Sequence, residues 1–164
     1  GVLSLEQALE IGAVGMAARA SGLARDIRST HPYSAYPFLH HESITRHHGD
    51  VYSRTQIRRY EIVQSMAYAR QLAQQLKNMP LEDNARPEMK PLANRFCISL
   101  TEGWRGEICH CAITDQDANL ACYKIKDPSF HNWMALALAV RGNEISDFPI
   151  CNKSFNLSYC GHDL

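Results

Sequence analysis

The spacing of apolar residues changes once along this 164-residue chain, and that change dictates a mixed fold. Through Ile62, Met66, Ala69, Ala73 and Leu76 they recur at the interval of one helical face. From Phe96 onward the period drops to two: Phe96, Ile98 and Leu100 alternate with Cys97, Ser99 and Thr101. Between the two regimes stand Pro80, Pro87 and Pro91, and proline suits neither a helix interior nor a sheet ladder. The expected architecture is α+β: residues 1–80 helical, residues 81–94 a linker, and residues 95–164 a sheet with a C-terminal helix and tail, together one compact unit.

Two helix starts carry a Ser followed three residues on by Gln, a pair whose side chains satisfy orphan N–H groups of the first turn. Ser4 with Gln7 opens a short helix that should stop near Gly12. Ser53 with Gln56 is expected to open a helix of about 25 residues, with the apolar stripe buried and Arg59, Gln71, Gln74 and Gln75 on the other face. Residues 29–52 lack either periodicity and read as an irregular connection. Runs at Ile108–Ile113 and Leu120–Ile125, separated by short turn signals, complete an antiparallel three-stranded meander with Phe96–Thr101. Phe130–Val140 reads as a buried helix.

Composition removes several functions. Lys+Arg and Asp+Glu number 17 each, so there is no basic excess for nucleic acid. The apolar run Met134–Val140 is seven residues against the roughly 20 of a bilayer-crossing helix. Six cysteines are too few for a disulfide scaffold and read as mostly buried thiols of a reduced, intracellular protein. The chain starts at Gly1 without Met, as a processed protein or a piece of a longer one would.

Candidate chemistry is sparse. Cys109-His110-Cys111 holds metal-type ligands, but a strand turns the two cysteines to one face and the histidine to the other, so the three cannot close on one ion. His40, His41, His47 and His48 read as a solvated loop; a small metal-binding domain using that loop is the alternative. Arg19, Arg25, Arg28, Arg54, Arg58 and Arg59 form either a solvated face or a set of carboxylate clamps at a subunit interface. Thr101–Glu107 is a hairpin whose Trp104-Arg105 tip, flanked by glycines, either presents a guanidinium into a cleft or is a plain turn.

Gly1–Ala8, Arg19-Ala20-Ser21-Gly22 with Asp26, Arg28 and Pro32-Tyr33, Gly49–Tyr52 with Arg54 and Arg58, Asp127–Trp133 and Asp147–Leu164 together resemble one family. It is the large subunit shared by complex I (the 49-kDa type) and membrane-bound [NiFe] hydrogenases, and the likeness covers its C-terminal portion. The resemblance implies an oxidoreductase subunit of a membrane-associated electron-transfer complex. It would lie at the cytoplasmic face, partnered by its own N-terminal half, an iron–sulfur small subunit and membrane-arm subunits. Glu102-Gly103-Trp104-Arg105-Gly106 is similar to the Glu-Ala-Pro-Arg-Gly turn that hangs an Arg over the nickel–iron site, with His110 where the family often has His. The implied site residues are thus Arg105, Glu102 and His110. The family's final Asp-Pro-Cys-x-x-Cys falls on Asn156-Leu157-Ser158 and Gly161, with Cys160 one position away. Ser158, Cys160 and Gly161 are then degenerate metal positions. No [NiFe] centre and no cofactor of the chain's own are expected; iron–sulfur clusters belong to the partner, and a quinone or other acceptor to the vacated cavity. A non-catalytic scaffold role in the same assembly is the alternative. The isolated chain is expected to be inactive and to self-associate through faces that normally meet its partners.

Overall fold

The computed structural model describes residues 1–78 and 90–162. Helices α1 (Leu5–Glu10), α2 (Gly15–Ala20), α3 (Ile27–Thr30) and α4 (Val51–Lys77) precede strands β1 (Phe96–Gly103), β2 (Gly106–Thr114) and β3 (Leu120–Lys126). Helices α5 (Pro128–Ala139) and α6 (Phe148–Phe155) follow. The strands form the expected antiparallel meander in the order β1-β2-β3, and the fold is α+β. Of the proline-rich linker, residues 79–89 lie outside the described residues.

Ser4 and Gln7 make the full reciprocal cap of α1. The long helix starts earlier than its Ser-x-x-Gln signal indicates. Asp50 is its cap, with a side-chain oxygen accepting the Ser53 N–H at 2.7 Å, so Ser53 becomes a buried member of the first turn. A carboxylate satisfies that N–H and complements the helix dipole together, which explains why Asp50 wins.

The main core is small and rich in alanine. Ala8, Ala13, Ala17, Ala18, Ala135 and Ala139 allow α1, α2 and α5 to approach closely, and Leu3, Leu136, Phe155 and Leu157 fill the remainder. Met16, Ala20 and Ile57 join α2 to the first turns of α4. Farther along, polar contacts hold the helix to the body: Glu61 with Arg19 and Arg28, and the Tyr68 hydroxyl with His41. The stripe expected to be buried is open: Ile62 is 49% exposed, Met66 53% and Leu76 66%. Helical periodicity marks a face built for burial, and the described residues supply nothing to cover it. The outer half of the sheet behaves alike, with Phe96, Ile98, Leu120 and Tyr123 exposed. For the same reason the thiols are not mostly buried; Cys151 is, whereas Cys97, Cys122 and Cys160 are exposed and Cys109 and Cys111 intermediate.

Of the six arginines, Arg25 and Arg59 are exposed, Arg28 and Arg58 half-buried, and Arg19 and Arg54 buried, and several of them clamp carboxylates of this same chain. Arg54 is fully buried and donates at 2.8 Å to the Gly1 carbonyl, the Gly49 carbonyl and Ser154 Oγ, its guanidinium lying 4.1 Å from the Phe155 ring centroid. Burial pushes its pKa down to about 10. Arg19, also buried, donates to Glu102 at 2.8 Å and Glu61 at 2.7 Å. Arg28 pairs with Asp26 and Glu61, each at 2.7 Å.

Candidate functional site

The β1–β2 hairpin closes on a two-residue tip, Trp104-Arg105, between the paired Gly103 and Gly106. Backbone and side-chain contacts hold that tip against the helices. Gly15, at φ +62°, opens α2, and a Cβ there would lie 2.2 Å from Gly106 Cα and 2.5 Å from the Arg105 carbonyl oxygen. Backbone meets backbone at this point, which only glycine permits. Asn132, buried in α5, completes the joint. Its Oδ1 accepts the Val14 N–H at 3.1 Å, and its Nδ2 donates to the Val14 carbonyl at 3.1 Å and the Arg105 carbonyl at 3.2 Å.

The Arg105 side chain then crosses to the tail, where its Nε donates to the carbonyl of Asn156. Asn156 ends α6 in the left-handed conformation, φ 54°, which turns its carbonyl toward the hairpin. Arg58 donates to the Ser154 carbonyl and, at 3.0 Å, to that of Phe155, and its guanidinium lies 5.5 Å from the Trp104 ring centroid. Burial, reinforced by the Arg105 charge, lowers the Arg58 pKa. A cavity of about 450 Å³ opens here, lined by Arg58, Trp104, Thr55, Lys153, Ser154 and Asn156 among others. It is a cationic, partly apolar recess suited to an electron-rich or anionic group.

Glu102 does not face this cavity. Its carboxylate accepts Arg19 Nη1 at 2.8 Å and the Ile27 N–H at 3.2 Å, anchoring the hairpin base to α2 and α3. Burial raises its pKa against the opposing pull of Arg19. His110 stands apart as well: it occupies the middle of β2, opposite Ser99 and Ile125, and its Nδ1 meets the Tyr123 hydroxyl at 2.5 Å. Of the histidine-rich loop, His40, His47 and His48 are exposed. The His41 side chain is buried instead, with Nε2 3.1 Å from Asp26 Oδ2 and Nδ1 3.1 Å from the Tyr68 hydroxyl. Burial alone would raise Asp26, but hydrogen bonds from His41 and Arg28 and the charges of Arg19 and Arg28 hold it well below the usual carboxylate range.

The profile of the family described as respiratory-chain NADH dehydrogenase, 49 Kd subunit, matches residues 1–99. The chain belongs to this family. The carbon monoxide-induced hydrogenase of Rhodospirillum rubrum is 33% identical over 156 residues, covering 95% of this chain and 42% of the relative. An NADH-quinone oxidoreductase subunit of Solibacter usitatus is 31% identical over 147 residues, 90% of this chain and 40% of the relative. Formate hydrogenlyase subunit 5 of Escherichia coli is 30% identical, covering 97% of this chain and 27% of the relative. A solved structure of the membrane-bound sulfane sulfur reductase, an archaeal respiratory membrane complex, superposes with a TM-score of 0.87 at 25% identity, over 100% of this chain and 46% of the other. The chain thus spans less than half the length of these relatives.

A nickel–iron centre on this 49-kDa-type chain would need paired thiolates in the tail. The residues there do not fit it. Ser158 is engaged locally, its N–H donating to Ser129 Oγ and its Oγ accepting the Gly161 N–H, both at 3.0 Å. A Cβ on Gly161 would sit 2.5 Å from the Asp127 carboxylate carbon, so any side chain there would have to displace that carboxylate. Cys160 is exposed, and Cys151 is buried with its sulfur against Gly1. Among the described residues, no group of three or more His, Cys, Asp or Glu converges on a metal position. No described helix is long and apolar enough to cross a membrane. Asn132 and Arg58, which position the hairpin tip and line the recess, are functional candidates beyond the three read from the sequence. An amide inside an apolar helical run is the signal that could have found Asn132.

Proposed function

We propose that this chain is the C-terminal portion of the large subunit of a hydrogenase-related, NADH-quinone oxidoreductase-type complex, in which the recess beside Arg105 serves a quinone or another acceptor and not a nickel–iron centre. The observation that carries the reading is the pairing of a firmly held Arg105 turn with a tail in which Cys160 has Leu157, and no second thiol, three residues before it. A fixed guanidinium in a partly desolvated recess stabilises negative charge on a group being reduced, because charge interactions strengthen as water is excluded. Arg58 and Lys153 are the cations that line the recess itself, and Arg105 stands beside them on the Asn156 carbonyl. The partners in this reading are the protein's own N-terminal half, an iron–sulfur small subunit that delivers electrons, and membrane-arm subunits that hold the assembly at the cytoplasmic face. The open stripe of α4 is the face that meets the N-terminal half. Alone, the chain is catalytically inert.

The test is Arg105→Ala in the intact complex. Electron transfer should fall about 100-fold, the usual scale for losing one preorganised electrostatic group, with subunit composition unchanged. Retention of the full rate would refute the cavity role. Stoichiometric nickel in the intact complex would refute the acceptor reading of the tail. A scaffold role is the second reading, favoured by Arg54 and Arg58 spending their donors on backbone carbonyls. It predicts that Arg105→Ala weakens assembly and leaves the rate per assembled complex intact.

A further inference from the structure

Two thiols on the sheet lie outside everything above. Cys109 and Cys111 are alternate residues of β2 and project from the same face, with their sulfurs 3.7 Å apart. Two thiolates on one tetrahedral ion, each with a metal–sulfur bond of about 2.3 Å, stand about 3.8 Å apart. The pair already has that bite.

We propose that Cys109 and Cys111 form a chelating dithiol for a soft d10 cation of the zinc and cadmium class, bound on the outer half of the sheet and independent of the Arg105 recess. The strand register supplies the surroundings. Leu100 and Ile98 lie opposite on β1 and give an apolar flank, whereas Lys126 and Lys124 lie opposite on β3 and give a cationic one. Burial and the neighbouring Cys111 thiol raise the Cys109 pKa against the pull of Lys126, so a bound cation has to displace the thiol protons. His110 points to the other face and takes no part, so the remaining coordination positions are left to water or an exogenous anion. Binding forms two metal–sulfur bonds and releases the two thiol protons to solvent, with no change of oxidation state.

The same geometry disfavours a disulfide. Alternate strand residues stand about 6.6 Å apart with parallel Cα–Cβ bonds, whereas a disulfide draws the Cβ atoms to about 3.8 Å. β2 is the central strand, bonded along both edges, and cannot shorten to allow it.

Cadmium ion is the probe, added to the full-length protein that carries this chain under reducing conditions and read by ultraviolet sulfur-to-cadmium charge transfer. One equivalent should generate the band. Cys109→Ser and Cys111→Ser should each weaken binding about 100-fold, the loss expected when a chelate becomes a single contact. Cys97→Ser, on the opposite face, and Cys160→Ser should leave it unchanged. Alkylation footprinting of the unmutated protein reads the same site without relying on variant folding: cadmium should protect Cys109 and Cys111 together and leave Cys97 reactive. Equal binding in the single variants, protection of only one of the two, or air oxidation of the pair to a disulfide in preference to metal binding would each overturn the proposal.

Discussion

Asn132→Ala should detach the hairpin tip that carries Arg105. The amide makes three hydrogen bonds in a site that is 1% exposed, and only one orientation satisfies all of them, with the oxygen toward the Val14 N–H and the nitrogen toward the two carbonyls. Truncation strands the Val14 N–H and removes the amide from the Arg105 carbonyl, while the Val14 carbonyl keeps only the long Ala18 N–H bond at 3.5 Å. At about 1 kcal/mol for each lost bond, the cost is about 3 kcal/mol. Asn132→Asp is the sharper variant: it keeps the acceptor for Val14 but turns a carboxylate oxygen against the Val14 and Arg105 carbonyls, so it should cost at least as much at neutral pH and recover in acid as that group protonates. Urea unfolding of the two variants measures both. An Asn132→Ala loss below about 1 kcal/mol would show that water or backbone relaxation replaces the amide, and the argument that it positions the tip would fail.

Gly15→Ala should destabilise, although Gly→Ala at an ordinary helical position gains about 1 kcal/mol, because φ here is +62° and the methyl would meet the backbone of Gly106 and Arg105; chemical denaturation of the variant checks it. The depressed pKa of Asp26 contributes stability above its unfolded value of about 3.9 and loses it as pH falls toward the folded value. Asp26→Asn should therefore cost about 3 kcal/mol at pH 7, and the gap between variant and parent should narrow below pH ~4; a gap constant across an acid titration would contradict the sign. Met66→Glu, on the open stripe of α4, should reduce self-association of the isolated chain in light scattering without lowering its stability by more than about 0.5 kcal/mol. A stable monomer before mutation would show that the stripe needs no cover.

The elements with strong local chemistry were legible in the sequence. The Ser4–Gln7 pair, the period-two runs and the apolar run of α5 each state their conformation within a few residues. Helix α2 was not, because six residues without a side-chain cap carry too little periodicity to detect. Asp50 was obscured by a capping signal three positions later, and both describe the same turn. Burial was least legible. Nothing near Arg19 or Arg54 in sequence announces that Glu61, Glu102 or the Gly1 carbonyl will meet them, and the α4 stripe advertises burial that the described residues do not provide. At the site, the hairpin glycines pointed to Arg105. Glu102 and His110 were drawn in by a likeness of motif, and the fold places one in an ion-pair network and the other in the middle of the sheet.

Because one buried guanidinium, that of Arg54, gathers carbonyls of residues 1 and 49 and the hydroxyl of residue 154, it can be satisfied only after segments more than 150 residues apart have come together. Contacts of such long sequence separation form slowly. The final helix should therefore be the last element to become resistant to protease during refolding, and removing Ser154 with the residues after it should loosen the segment around Gly1.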